Sequence, residues 1–377
     1  MSFVLTEEQR AIAKAASDLV ARRAPVAHLR ALRDSRDPVG FSREVWREMA
    51  SVGFAGIGIP EAHGGSGLGL TELGLVLEAC GRTLAPTPLV STVLLGAPLV
   101  LAAGDEALRA RELPLVASGE RVIALAHEEG PHHAPTRVTT RAEPHAGGFR
   151  LTGEKSFVLD GHVADAFVVV ARVAGEADDP RGLALFFVEA SAPGVHATRL
   201  HLVDSRNAAR VRFDGVTAAA TLGVPGEAFA LLDRVLDGAR AGLAAEMLGG
   251  ADEVFARTLA YLKERQQFGV AIGSFQALQH RAADLYCDLE LTRSVVLEAL
   301  RAIDRGDPEA ARLVSAAKAR AGTTFSRATA EAVQMHGGVG VTDELDIGFF
   351  VKRARVADVT FGDSAFHRDR FARLSGF

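Results

Sequence analysis

The chain has 377 residues, long enough for two or three packed layers, and its 42 Lys and Arg against 47 Asp and Glu give a formal net charge of −5, which excludes the basic footprint of a nucleic-acid or anionic-membrane binder. Two cysteines, Cys80 and Cys287, suit a reducing compartment and argue against a disulfide framework or a thiolate metal site. The opening MSFVLTEEQR lacks the basic-then-apolar order of a signal peptide, and the longest apolar run, near Val90 to Ala103, is interrupted by Gly96 and Pro98, so a cytoplasmic protein without a membrane span is expected.

Residues 1–118 read as helices joined by loops. Thr6 is placed to cap the first helix, whose apolar residues Ile12, Ala15, Ala16 and Leu19 recur at helical spacing. The basic residues between Arg22 and Arg36 read as a solvated face, and Thr71 as the cap of the helix that follows GGSGLGL. From 119 to 225 the period changes. Runs such as VIALA, TRVTTRA, FRLTG, SFVLD, FVVVAR, LALFFV and ARVRF, separated by Gly, Pro and Asp, predict a compact antiparallel β-domain. Of the 14 prolines all but Pro308 lie at or before Pro225, so 226–377 is expected to be a bundle of long helices with a break at Arg305 to Pro308. The expected fold is α+β: helical residues 1–118, a central β-domain over 119–225 and a four-helix-bundle-like domain over 226–377, with no internal repeat or low-complexity tract.

The stretch KERQQFGVAIGSFQALQH, Lys263 to His280, joins two of those helices. Arg265, Gln267 and Phe268 precede Gly269, and Ser274 offers a cap for the helix beginning near Gln276. A guanidinium, an amide and an aromatic ring at a helix end can hold a charged, planar, phosphorylated ligand; an ordinary helix connection whose arginine meets a surface carboxylate is the competing reading. Further on, QMHGGVG puts Gly337, Gly338 and Gly340 after Gln334, where backbone amides can approach a ligand. Together these motifs resemble the acyl-CoA dehydrogenase family, in which an arginine, two residues, Phe-Gly and a later glutamine are followed by Gln, two residues and Gly-Gly. The resemblance spans the chain and implies a helical N-terminal domain, a β-domain, a C-terminal bundle, bound FAD and cofactor-binding roles for Arg265, Gln267, Phe268, Gln276, Gln334, Gly337 and Gly338. It also implies an acyl-CoA thioester substrate, with Asp237 and Arg240 on the substrate side, and an electron-transfer flavoprotein or similar acceptor.

In the family a carboxylate removes the proton next to the thioester carbonyl while a hydride leaves the next carbon; a placed base contributes a factor of about 10² to 10⁴. The commoner family position for that glutamate falls here on Phe361, within Thr360, Phe361, Gly362 and Asp363. The alternative falls on Ala239, which shares an inward stripe with Leu232, Leu236, Leu243 and Met247. Neither can take a proton. Glu246 lies about 10 Å along the helix from Ala239. Asp363 is the fallback candidate against the plainer reading of a capping turn aspartate. Glu344, Asp346 and Asp358 read as solvated or paired with Lys352, Arg353 and Arg355. Where the family carries Thr-Glu-Pro and Gly-Ser-Asp, this chain has AHEEGPHHAP, and Phe157 stands where tryptophan is common; Gly153, Lys155 and Asp160 mark the next strand. His127, His132, His133, Glu128 and Glu129 match no metal-ligand spacing and read as a mobile polar loop. The resemblance therefore points to a base-lacking subunit of a heteromeric enzyme whose homologous partner bears the glutamate. The alternatives are a homomeric oxygenase or oxidase on the same fold, using Asp363, Glu246 or His367, and a non-catalytic structural subunit.

Overall fold

In the computed structural model, which describes residues 4–377, Thr6 opens the first helix as the sequence indicates. Its hydroxyl accepts from the Gln9 amide while the Gln9 side chain accepts from the Thr6 amide, both at 3.1 Å, a reciprocal box at the start of α1 (Glu7–Arg23). Then come α2 (Val26–Asp34), α3 (Arg43–Ser51), α4 (Leu70–Thr83), a wide π-type segment over Leu89–Gly96, α5 (Ala97–Ala103) and α6 (Glu106–Ala117). Thr71 is not a cap. It is buried in the first turn of α4, and the Leu70 and Thr71 amides, with the Thr71 hydroxyl, donate to the carboxylate of Asp304 from the far end of the chain. The basic stretch is not wholly solvated either, since Arg30 reaches Asp343 and Asp346 at 3.0 Å each and lies over the Phe349 ring.

The chain packs as two compact units. The sheet unit comprises Leu32–Gly69 and Pro86–Ala239; the helical unit comprises the residues up to Ala31, Leu70–Ala85 and Arg240–Phe377.

The sheet unit holds β1 (Ile123–Ala126), β2 (Arg141–His145), β3 (Gly148–Leu159), β4 (Ala166–Arg172), β5 (Leu183–Glu189), β6 (Val195–His201), β7 (Asn207–Thr217) and β8 (Ala220–Gly226). They form one sheet in the order β6-β7-β3-β2-β4-β5-β8, with β1 also paired to β4. The sheet is mostly antiparallel, but β1 and β2 pair with β4 in parallel, a departure from the expected all-antiparallel domain. Central β4 and β5 are buried on both faces along nearly their whole length, which is why they read as unbroken apolar runs. FRLTG and SFVLD merge into β3, and TRVTTRA gives only its last residues to β2. Lys155, paired with Val211, is fully buried in alternation with Leu151; beyond it the β3–β7 register slips between Lys155 and Val158 and leaves Phe157 46% exposed at φ 53°.

The C-terminal bundle runs α7 (Phe229–Glu264), a hairpin of β9 (Gln266–Gln267) and β10 (Val270–Ala271), α8 (Gln276–Asp304), α9 (Ala310–His336), α10 (Ile347–Val359) and α11 (Ser364–Leu374), with the break before α9 where Pro308 places it. The stripe of Leu232, Leu236, Ala239, Leu243 and Met247 is buried as expected, and residues 235–251 are buried on every side. In the helical unit α4 and α7 meet backbone to backbone: a Cβ at Gly81 would lie 1.9 Å from the Glu246 carbonyl oxygen, and one at Gly249 the same distance from that of Glu78. Among the described residues no helix is long and apolar enough to cross a membrane.

Candidate functional site

The connection after α7 is a tight β-hairpin. Phe268 and Gly269 are its two central residues, with φ of 54° and 81°, the signs a two-residue hairpin turn requires. Ser274 does not cap α8; its hydroxyl donates to the Ala271 carbonyl at 2.7 Å, and Phe275 stands at the cap position without a side-chain bond. The Phe268 ring is 91% exposed, edge-on to Phe275 at 6.1 Å between centroids, and Arg265, Gln267 and Gln276 are exposed as well. Among the described residues the Arg265 guanidinium has no hydrogen-bond or ion-pair partner.

The glycine loop closes α9. Gly337 takes φ 67°, and Gly337–Val341 form a tight turn beside exposed Gln334. A Cβ at Gly337 or Gly338 would meet no other atom within 4 Å, whereas one at buried Gly340 would lie 2.8 Å from the Val333 carbonyl oxygen. The open side of the loop is thus accessible to a ligand. Tyr261, one turn before Arg265, stacks on His336 at 4.4 Å between centroids, and its hydroxyl donates to the His336 carbonyl at 3.4 Å. That contact, which the motifs themselves do not announce, brings hairpin and glycine loop to the same end of the bundle.

Phe361 is half-buried at φ 58° and packs against the helical core; Ala239 is fully buried in α7. The nearby carboxylates are engaged elsewhere. Asp363 caps α11 by accepting from the Phe366 amide at 2.8 Å, the plainer of its two sequence readings. Glu246 is buried against Arg353 at 3.1 Å. Asp346 pairs with Arg30 and Arg257, so its partners come from α2 and α7 and not from its own helix; Asp358 accepts from Ser364 at 2.8 Å and lies 3.6 Å from Arg355, while Glu344 is exposed. His367 donates from Nε2 to the Phe361 carbonyl at 3.1 Å. Fully buried Arg240 has Nε 3.4 Å from that same oxygen and its guanidinium over the Phe366 ring, so in the helical unit it faces the Phe361 turn. Asp237 is buried in the sheet unit. Lys318, fully buried on α9, donates to the carbonyls of Ala357, Asp358 and Gly362, and burial pulls its pKa down to about 7. The sequence carried a signal for it, since Val314, Ala317, Lys318, Ala321 and Phe325 share one helical stripe.

In the sheet unit the AHEEGPHHAP loop is pinned, contrary to the expectation of a mobile segment. Glu129 accepts from the amides and hydroxyls of Thr139 and Thr140 and from Lys155 at 2.8 Å, and Lys155 also donates to the His127 carbonyl at 3.0 Å. Burial works to raise the Glu128 and Glu129 pKa values, but bonding and charge from His133 and Lys155 hold both at about 2. His127 donates from Nε2 to the Pro135 carbonyl at 2.9 Å, and burial lowers its pKa. No group of metal-ligating side chains stands together among the described residues. Asp160 is buried against the Ser91 hydroxyl at 2.6 Å, and burial raises its pKa to about 6.

The chain belongs to the acyl-CoA dehydrogenase family: the family's N-terminal domain matches residues 6–120, its middle domain 124–216 and its C-terminal domain 228–375. The probable acyl-CoA dehydrogenase YngJ of Bacillus subtilis is 30% identical over 383 residues, covering 99% of each chain. Among solved structures, the Tcur3481-Tcur3483 steroid ACAD matches with a TM-score of 0.88 at 32% identity over 98% of each chain. The ChsE4-ChsE5 complex from Mycobacterium tuberculosis matches with a TM-score of 0.88 at 28% identity, over 100% of this chain and 99% of the other.

Proposed function

We propose that the chain is the base-deficient subunit of a heteromeric acyl-CoA dehydrogenase that introduces an α,β double bond into a bulky acyl-CoA thioester. What supports this reading is that Asp363 and Glu246 are engaged as a cap and an ion pair, while the positions at which the family resemblance places its base fall on Phe361 and Ala239. A homologous subunit supplies the glutamate. The two-component names of the steroid ACAD and of the ChsE4-ChsE5 complex support a partner of that kind.

FAD is the cofactor; when bound it supplies the hydride acceptor. The residues at the open end of the bundle fit a share of such a group. Arg265 offers a two-pronged cation without a partner in its own unit, Gln267, Gln276 and Gln334 offer amides, Phe268 an exposed flat ring, and the Gly337–Gly338 backbone an unobstructed approach. An exposed aromatic ring of this kind also fits a surface covered on assembly. Electrons leave to an electron-transfer flavoprotein or similar acceptor. Purified alone, the chain should not reduce a dye acceptor with any saturated acyl-CoA; with a glutamate-bearing homologue, turnover should appear. Robust turnover by the lone chain would overturn the reading and direct attention to Asp363, which an Asp363→Asn variant then tests.

A further inference from the structure

The Thr360–Asp363 turn runs against backbone preference. Phe361 takes φ 58° and Gly362 follows at 102°, and a left-handed aromatic residue costs on the order of 1–2 kcal/mol, so it persists only where its surroundings over-determine it. Lys318 is the strongest of those surroundings. Its ammonium has three N–H donors and no acceptor, and they go to the carbonyls of Ala357 at 3.0 Å, Asp358 at 2.9 Å and Gly362 at 3.0 Å. All of its bonding capacity therefore lies on the end of α10 and the turn beyond it. One helical turn further along α9, a Cβ at Gly322 would lie 2.2 Å from Asp358 Oδ1 and 2.6 Å from the Ser364 hydroxyl, so this face of α9 fits closely against both sides of the turn.

We propose that Lys318 is the positioning residue of this turn: through three carbonyl oxygens it holds the left-handed conformation that seats the Phe361 ring against the helical core, where the family carries its base. It acts through the backbone. Its hold on the turn is independent of the function proposed above; its bearing on acyl-CoA chemistry rests on that function.

Lys318→Met keeps the side-chain length and apolar stem and removes every donor. Hydrogen exchange followed by mass spectrometry on the full chain should show the amides between Ala357 and His367 exchanging on the order of 100-fold faster, with α7 and α8 unchanged. In Lys318→Ala, added n-propylammonium should restore protection in the same segment and propanol should not. An unchanged turn in Lys318→Met overturns the proposal, as does equal acceleration throughout the helical unit with no recovery by propylammonium. In a Phe361→Glu background within the assembled complex, adding Lys318→Met should lower kcat and leave KM for acyl-CoA in place. If Phe361→Glu adds no turnover to the assembled complex while the exchange results are as expected, Lys318 still positions the turn, and the turn does not face the reacting carbon.

Discussion

Asp160 lies inside the sheet unit, and its hydrogen bond to Ser91 does not offset the cost of burying the charge, so its pKa rises from 3.8 to about 6. Folding therefore favours the protonated form. Its contribution is fully present below 3.8 and is lost as pH rises through 6, a swing of about 3 kcal/mol. Glu128 and Glu129 act in the opposite sense, since their stabilisation is present above 4.5 and lost as pH falls toward 2. Thermal melts between pH 4.5 and 6 isolate the aspartate, and Asp160→Asn should raise Tm at pH 7 and flatten the slope in that window. That the family's base position falls on Phe361 is an expectation drawn from the resemblance. The turn that carries it could not be read from its own residues. Its conformation depends on Lys318, some forty positions earlier, and only the helical stripe of α9 hinted that this lysine faces inward. Phe361→Glu places a carboxylate in apolar surroundings, and the complex should gain turnover above its wild-type level; an unchanged rate in a variant that folds and holds FAD would mean that the turn does not face the reacting carbon.

The element boundaries that a sequence marks locally were readable here, and those marked by a distant partner were not. Thr6 and Gln9 cap α1 within four residues, and left-handed Gly306, just past the end of α8, lies with Pro308 in the break between α8 and α9, so both boundaries were legible. The edge strands β6 and β8 went unnoticed because VHATRLH is polar over much of its exposed length and ATLGVPG carries Gly and Pro. The AHEEGPHHAP loop looked mobile because its anchor, Lys155, sits on β3, a strand away in sequence, facing inward in alternation with Leu151 and Gly153. Lys155→Met should take the cation from Glu129, which keeps its bonds from Thr139 and Thr140, and destabilise the sheet unit by about 1.5–3 kcal/mol, the worth of a hydrogen bond to a charged group, read as a lowered denaturation midpoint. The hairpin of β9 and β10 should behave differently. Arg265 is exposed, so Arg265→Ala should leave the melt within about 0.5 kcal/mol of wild type and lower the flavin content of the assembled protein. Unchanged flavin occupancy would make Arg265 an ordinary surface cation.

For the whole molecule, the proposed function has the chain complete a site shared with a neighbour. The expected assembly is two copies of this chain with two of a glutamate-bearing homologue, holding fewer flavins than subunits; native mass measurement with flavin quantitation checks it, and a homotetramer with one flavin per chain would contradict it. The architecture also sets the order in which the chain completes itself. The amides that begin α4 at Leu70 and Thr71 are satisfied by Asp304, 234 and 233 positions later, and α1 and α4 belong to the same compact unit as Arg240–Phe377, whereas α3, α5 and α6 belong to the sheet unit. At about 5–20 residues per second, that partner emerges from the ribosome roughly 10–50 s after the helix it caps. During that interval the sheet unit can close while α4 waits with its first amides facing water and its apolar side uncovered. Nascent chains truncated before Asp304 should accordingly engage chaperones through the Leu70–Ala85 segment, and release should coincide with synthesis of α8.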